Sequence, residues 1–120
     1  MTPLEWDSLP EFEQDLLVCA TEAWGILPYA TDQHRGIGDP RAEAAAAARM
    51  VLELVDRGWI TVHRIVPDAA GVGAAYGPAI TQQLDALLAD PDTWDDPDGV
   101  SWNGELAVAL TPAGRSAIAR

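Results

Sequence analysis

Residues 90–99, DPDTWDDPDG, place five aspartates within ten positions and raise the question of a metal site. A calcium loop of the EF-hand type needs oxygen ligands at positions 1, 3 and 5, glycine at position 6 and glutamate at position 12. Counted from Asp90, positions 6 and 12 fall on Asp95 and Ser101. Counted from Asp96, position 12 is Ala107. The spacing therefore excludes this kind of calcium loop.

The same aspartates are poor candidates for acid–base catalysis. A working pair of carboxyl groups needs two different environments, one desolvated and one that keeps its charge. A proline-containing run of aspartates predicts uniform solvation instead. We expect an acidic loop, with Trp94 either folded back onto the body as an anchor or exposed as part of an interaction surface. That surface would consist of Asp90, Asp92, Trp94, Asp95, Asp96 and Asp98.

The remaining residue types that carry chemistry are sparse. The chain has two histidines and one cysteine, and their spacing matches no zinc site. His63 lies in a strand-like segment on the face expected to be less buried, so a solvated role is expected. The glycine-containing stretches lack the strand–turn–helix context of a phosphate-binding loop. The sequence therefore predicts a protein that is not an enzyme and that carries no cofactor and no metal.

Composition favours an acidic protein of one domain. The 120 residues carry a formal net charge of −12, and all seven basic residues are arginines. No apolar run approaches the ~20 residues of a membrane span, and the acidic N-terminal stretch lacks the basic flank of a signal peptide. We expect no membrane association and a cytoplasmic location.

The charge alternates along the chain. Residues 1–39 carry eight acids and one arginine, net −7, and residues 67–105 carry eight acids and no base, net −8. Residues 40–66 are net +1 and residues 106–120 are net +2. Two acidic segments thus alternate with two mildly basic ones.

Helix boundaries are signalled at three positions. Ser8 and Glu11 form a capping-box pattern, Asp39 precedes Pro40 at a second helix start, and Gly58 is a typical helix stop. β-branched runs predict the strands, and residues 25–39 and 67–77 lack a clear period, apart from a short turn near 28–35. The predicted elements are helices at 9–24, 40–57, 79–89 and 112–119 and strands at 59–66 and 105–110.

Two stretches, LELVDRGWITVHR and VALTPAGRSAI, resemble the winged-helix domains of the MarR and PadR regulator groups. In that pattern a helix ends in a leucine-rich turn and glycine, and a strand then opens the wing. The return strand leads into a helix that starts with LT-x-x-G-R. Leu110, Thr111, Gly114 and Arg115 match this closing motif, and residues 59–66 and 105–110 would be the two wing strands.

The resemblance implies an α+β fold of winged-helix type over residues 1–120 with a two-stranded wing hairpin. The connection between the two strands is longer than the family pattern has, and we expect it to contain an inserted helix. The resemblance also implies DNA binding by a dimeric transcriptional regulator. Duplex binding would depend on arginines that gather on one surface. The candidates lie in the two net-positive segments and are Arg41, Arg49, Arg57, Arg64 and Arg115.

The net charge opposes duplex DNA binding. Arg49 and Arg57 are each four residues from Glu53, which predicts ordinary ion pairs on a solvated helix face. Large acidic surfaces attract basic partners and repel nucleic acid. The first expectation is therefore a regulatory module that binds a protein partner, either a basic protein or one that itself binds DNA. A DNA-binding regulator, with homodimerisation, is the alternative.

Overall fold

The computed structural model describes residues 3–22, 25–30, 38–68, 74–94 and 104–118. These residues form an α+β fold in which helices pack on a four-stranded antiparallel sheet with strand order β1-β4-β2-β3. The helices are α1 (Pro3–Ser8), α2 (Glu11–Glu22), α3 (Leu27–Ala30), α4 (Pro40–Asp56), α5 (Leu84–Ala89) and α6 (Pro112–Ile118). The strands are β1 (Gly25–Ile26), β2 (Ile60–Pro67), β3 (Ala74–Ala79) and β4 (Leu106–Leu110).

Helix α4 begins and ends where the sequence predicts. The Asp39 side chain accepts a hydrogen bond from the Ala42 amide at 3.0 Å, which caps the first turn. At the other end Gly58 has φ +78°, the left-handed conformation that favours glycine after a helix. The amide of Trp59 then donates to the Leu54 carbonyl at 3.1 Å, and the chain enters β2 directly.

The N-terminal helix is divided in two, which the prediction of one helix from residue 9 missed. Ser8 is the last residue of α1 and therefore does not open α2. The first carbonyl to accept a bond in α2 is that of Pro10, from the Gln14 amide at 3.1 Å. Leu9, at the corner, is 7% exposed, so the break buries an apolar side chain between the helices.

The sheet is larger than the predicted two-stranded wing. The two strands predicted from the sequence, β2 and β4, pair antiparallel from Ile60 and Leu110 to Arg64 and Leu106. Residues 67–77 were predicted to be irregular, but β3 pairs with the far side of β2. Alanine, glycine and proline are weak strand formers, and proline is tolerated on an edge strand. The backbone pairing of β3 therefore overrides its composition.

Helix α5 is shorter than predicted. Ala79 belongs to β3, and the Ile80 amide donates to the Val62 carbonyl at 2.7 Å. Gln83 then adopts a φ of 57° immediately before the helix. The connection between β2 and β4 thus contains an inserted helix, as expected, together with a strand that was not expected.

The main core lies between the helices and one face of the sheet. Its fully buried members include Leu16 and Leu17 of α2, Val51 and Leu54 of α4 and Val108 of β4. A second cluster, made of Ile26, Ile65 and Ala107, is buried on the opposite face. Strand β4 is therefore buried on both faces of the sheet, since Ala107 and Val108 are both 0% exposed.

The closing motif joins α4, β2, β4 and α6 at one point. The Thr111 hydroxyl donates to the Gly58 carbonyl at 2.5 Å and accepts from the Gly114 amide at 2.9 Å. A Cβ at residue 114 would lie 2.0 Å from the Trp59 carbonyl oxygen. Since that oxygen belongs to backbone, residue 114 must be glycine for α6 to approach this closely.

We expect Gly114→Ala to lower the free energy of unfolding by about 1–3 kcal/mol or more, because overpacking usually costs this much. Gly38→Ala is the matched control, because a Cβ at residue 38 meets nothing within 4 Å. Urea-unfolding midpoints of both variants test the close contact. Equal midpoints would show that α6 does not pack against Trp59 as described.

A second stability prediction concerns the face of α4 that enters the core. Leu54 is 0% exposed, so Leu54→Ala should lower the free energy of unfolding by ~2–5 kcal/mol through the cavity it leaves. Arg49→Ala, on the exposed side of the same helix, should change it by no more than about 0.5 kcal/mol. A large loss for Arg49→Ala in urea melts would contradict the assignment of the buried face.

Candidate functional site

Two of the predicted arginines lie on the exposed side of α4 and face solvent separately. Arg41 and Arg49 are eight residues apart, which places them about 12 Å apart along the helix axis and about 80° apart around it. Neither forms an ion pair within the part of the chain that the structure describes. The predicted Arg49–Glu53 pair is therefore not formed.

Arg57 is held at the end of α4. Its guanidinium donates to the Glu53 carboxylate at 3.0 Å, which confirms the second predicted ion pair. The same guanidinium lies 4.8 Å from the centroid of the Trp59 ring, a cation–π contact. The charge of Arg57 is thus already engaged by an anion and an aromatic ring.

Arg64 and Arg115 occupy opposite ends of the β2–β4 pair. Arg64 pairs with Leu106, and its side chain donates to the Gly104 carbonyl at 2.6 Å. Arg115 follows the other end of β4, where the Thr111 amide binds the Trp59 carbonyl at 3.0 Å. Ile60 and Arg64, which mark these ends in β2, are four residue steps apart, a distance of about 13 Å. Arg64 and Arg115 are therefore well separated along the sheet, and Arg64 is engaged with backbone.

Exposed acids outnumber the exposed arginines among the described residues. Helix α5 packs beside α4 and places Asp85 in solvent near the arginine-bearing helix. Asp56 lies seven residues after Arg49, nearly two helical turns, and so on the same side of α4. The exposed acids are Asp7, Glu11, Asp39, Glu53, Asp56, Asp85, Asp90 and Asp92.

The start of the aspartate loop has a structural role. Residues Pro91–Trp94 form a short 3-10 helix, and the Asp90 carboxylate accepts from the Asp92 amide at 3.0 Å. The Asp90 carbonyl accepts from the Thr93 amide at 3.0 Å. Asp90 therefore caps this turn while it remains exposed. Asp95, Asp96 and Asp98, which were predicted to extend the acidic surface, lie outside the described residues.

Trp94 anchors the loop to the body. It is 2% exposed, and its indole nitrogen donates to the Leu88 carbonyl at 2.7 Å. Its ring centroid lies 6.1 Å from that of Phe12 in α2. The expectation of an anchor is confirmed, and the alternative of an exposed Trp94 in the interaction surface is wrong, because the side chain fills the core.

His63 is also structural rather than solvated, contrary to the expectation from strand alternation. Its Nε2 lies 2.7 Å from the Thr61 hydroxyl, and its Nδ1 lies 2.7 Å from the Gly77 carbonyl oxygen. The second bond crosses from β2 to β3 next to the register shift between His63 and Ile65. The imidazole thus stabilises an irregular part of the sheet.

Glu13 of α2 is the unusual ionisable residue of this fold. It is 0% exposed, and among the described residues neither carboxyl oxygen accepts a hydrogen bond from an N–H donor or a neutral hydroxyl. Burial, the charge of the nearby Glu53 carboxylate and a side-chain hydrogen bond with Glu53 together raise the pKa of Glu13 from the ordinary 4.5 to about 7, although the charge of Arg57 lowers it. An unpaired buried carboxyl is costly when charged, so protonation of Glu13 is coupled to the packing of α2 on α4.

Sequence reasoning missed Glu13, although a signal was present. Glu13 precedes Leu16 and Leu17 by three and four residues, the spacing of neighbours on one helical face. An apolar stripe drawn through Phe12 and Leu16 leaves out Leu17, which is 0% exposed. A stripe centred between Phe12 and Leu17 would have included Glu13.

A shallow cleft of about 230 Å³ lies between α2 and α4, near the other end of α4. Phe12, Ala47 and Met50 contribute apolar surface to it, and Glu43 contributes a carboxylate. The Glu43 carboxylate accepts from the Gly38 amide at 3.1 Å. The cleft is thus an apolar surface with one acidic side chain in its lining.

Comparison with family models, curated proteins and solved structures gave no match for this chain. Among the described residues there is no group of three or more histidine, cysteine, aspartate or glutamate side chains placed to bind a metal ion. None of the helices in those residues combines the length and hydropathy that crossing a bilayer requires. The exposed acidic side chains and the buried Glu13 are therefore the features that bear on the function.

The raised pKa of Glu13 predicts a specific dependence of stability on pH. The unfolded chain loses this proton near the ordinary value of 4.5 and the folded chain near 7. The folded state is therefore penalised progressively as pH rises from about 4.5 to 7, and the penalty stays constant above that. Its full size is up to about 3 kcal/mol.

Glu13→Gln removes the charge and keeps the shape of the side chain. We expect the variant to exceed the wild type in the free energy of unfolding at pH 8, and the difference to disappear towards pH 4.5. Glu11→Gln, which alters an exposed carboxylate on the same helix, should not show this difference. Urea titrations at several pH values measure it. A Glu13→Gln variant no more stable than wild type at pH 8 would contradict the buried, unpaired carboxyl.

Proposed function

We propose that this protein is a non-enzymatic acidic module that binds a basic protein partner and acts in regulation. The observation that carries this proposal is the dispersal of the arginines among a larger number of exposed acids. Asp39 precedes Arg41 by two residues, and Glu53 neutralises Arg57 directly. A partner that approaches the described surface therefore meets more acidic than basic side chains.

The whole-molecule charge supports the same proposal. A net charge of −12 on 120 residues produces a field that accelerates association with positively charged partners and slows association with nucleic acid. Specific interfaces also need an apolar centre within a polar rim. The cleft between α2 and α4 supplies a small apolar area next to Glu43. Charge would guide the encounter, and apolar contact would stabilise the complex.

The non-enzymatic part of the proposal is supported by how the candidate catalytic groups are used. Both ring nitrogens of His63 are engaged with Thr61 and Gly77. Asp90 caps a turn, and Glu13 is closed off from solvent. In each case the polar group is committed to the local fold rather than presented in a cleft to a substrate.

A winged-helix DNA-binding regulator is the second candidate, and the pairing of β2 with β4 favours it. These strands are those that the resemblance assigns to the wing, and α4 leads into them through Gly58. The contact between Gly114 and Trp59 gives the LT-x-x-G-R motif a structural reason. On this reading α4 would approach the duplex and the protein would act as a homodimer.

Electrostatics argue against this second candidate. The exposed side of α4 offers Arg41 and Arg49 to phosphates, while Glu53 and Asp56 oppose them. Each neutralised phosphate contributes about −0.9 to the slope of log K against log salt. Two arginines would thus give a slope of about −2, a small footprint for a protein with a net charge of −12.

We expect the protein to bind a fluorescent peptide of nine arginines and not a 25-base-pair duplex of mixed sequence. Fluorescence anisotropy at 50 and 150 mM salt measures both interactions. Asp85→Lys with Asp92→Lys should weaken peptide binding, since both acids are exposed. Arg41→Glu with Arg49→Glu is the matched charge change on α4 and should not weaken it.

The opposite pattern would support the DNA-binding alternative. In that case the wild type would bind the duplex tightly with a steep dependence on salt, and the Arg41→Glu, Arg49→Glu variant would lose duplex binding. Circular dichroism of each variant shows whether the fold is retained. A wild type that binds neither ligand would contradict both candidates.

A further inference from the structure

Glu13 is a buried ionisable group to which no described residue donates an N–H or neutral hydroxyl hydrogen bond. Its carboxyl is 0% exposed at the packing of α2 on α4, and the Glu53 carboxylate is its hydrogen-bonding neighbour when Glu13 carries a proton. A buried carboxyl is usually stabilised by a donor or a cation, because an unpaired one costs free energy whenever it is charged. A bound proton or a nearby positive charge would therefore stabilise the Glu13 carboxyl.

Among the described residues, the charged side chains that act on Glu13 come from α4. Helix α2 packs against β1, α3, α4 and β4. Strands β1 and β4 have no ionisable side chain, and α3 contributes none that is charged at neutral pH. From α4, Glu53 and Arg57 act on Glu13. The side chain of Glu53 is 52% exposed and that of Arg57 is 38% exposed, so this edge of the α2–α4 packing is open to a partner.

Arg57 does not neutralise Glu13. Its guanidinium is bound to Glu53 at 3.0 Å and lies over the Trp59 ring. One arginine is thus shared by two neighbouring carboxyl groups, of which it pairs with the exposed one. The edge formed by Glu13, Glu53 and Arg57 therefore has one negative group more than it has cations whenever Glu13 is ionised.

We propose that this edge is a proton-linked docking site for a guanidinium or ammonium group of the basic partner. The inference rests on the proposed function and adds the location and the regulation of binding. The partner's cation forms an ion pair with the exposed Glu53 carboxylate. The added positive charge favours the ionised form of Glu13, which releases its proton to solvent. The net change is one cation bound and up to one proton released.

The coupling between cation binding and proton release predicts both the direction and the size of the pH dependence of binding. An opposite charge within about 4–6 Å lowers the pKa of a carboxyl by about 1–3 units. For a decrease of about one unit, the complex releases about half a proton near pH 6.5, and binding is about fivefold tighter at pH 8 than at pH 6. Arginine keeps its charge throughout this range, so the partner's own ionisation does not contribute.

Calorimetric titration of the full chain with the nine-arginine peptide tests the proposal. Titrations at pH 6.5 in two buffers of different ionisation enthalpy give the number of protons released. We expect about half a proton for the wild type, none above background for Glu13→Gln, and the wild-type value for Glu11→Gln. Both histidines are retained in these variants, so a difference between them belongs to Glu13. Carbon-13 NMR of the Glu13 carboxyl, with and without peptide, measures the same change without a variant.

The possible outcomes separate the docking site from the proposed function. Peptide binding with no proton release, or with equal release by the wild type and Glu13→Gln, would overturn the docking site and leave the proposed function standing. An unchanged Glu13 resonance on peptide binding would do the same. Absence of peptide binding at every pH would overturn the proposed function and the docking site together.

Discussion

The close approach of Gly114 to the Trp59 carbonyl is the constraint on which the arrangement of this fold depends. The same carbonyl accepts the Thr111 amide at 3.0 Å, and the Thr111 hydroxyl binds the Gly58 carbonyl. The end of α4, the start of β2, the end of β4 and the start of α6 thus meet at one set of backbone contacts. Since β2 and β4 are paired from this point, their register and the position of α4 follow from it.

A second constraint is the conflict between acidity and burial. A chain of net charge −12 has to place its carboxylates in solvent, and the described part of the surface does so on α2, α4 and α5. Glu13 is the exception, since it lies on the face of α2 that enters the core. Its burial is tolerated because a carboxyl can remain neutral by retaining its proton. Stability and surface charge are therefore coupled through one side chain.

Sequence reasoning identified the elements whose signals are local. Helix α4 was predicted to within one residue, because Asp39 and Gly58 act within one turn of its ends. Helix α6 was found because Thr111 and Pro112 are adjacent to its start. Strand β3 and the true start of α2 were missed. The first depends on backbone pairing with β2, and the second on the burial of Leu9, and neither can be seen within a short window of sequence.

The site residues show the same difference between features that local sequence predicts and features that depend on the tertiary fold. The anchoring of Trp94 follows from its being a large apolar residue within a charged loop, so composition was sufficient. The separation of Arg64 from Arg115 was not predictable, because it depends on the length of the β2–β4 pair. Glu13 was missed because charge suggests exposure, whereas its helical position places it inward.

The edge strand β3 has a consequence for how this protein can associate. An exposed sheet edge is a template on which another chain can add a strand through backbone hydrogen bonds. Pro78 lies within β3 and has no backbone N–H, so it removes a donor from the strand. The opposite edge is β1, which is two residues long. Sheet extension is thus disfavoured at both ends, and self-assembly into a continuous sheet is resisted by the architecture itself.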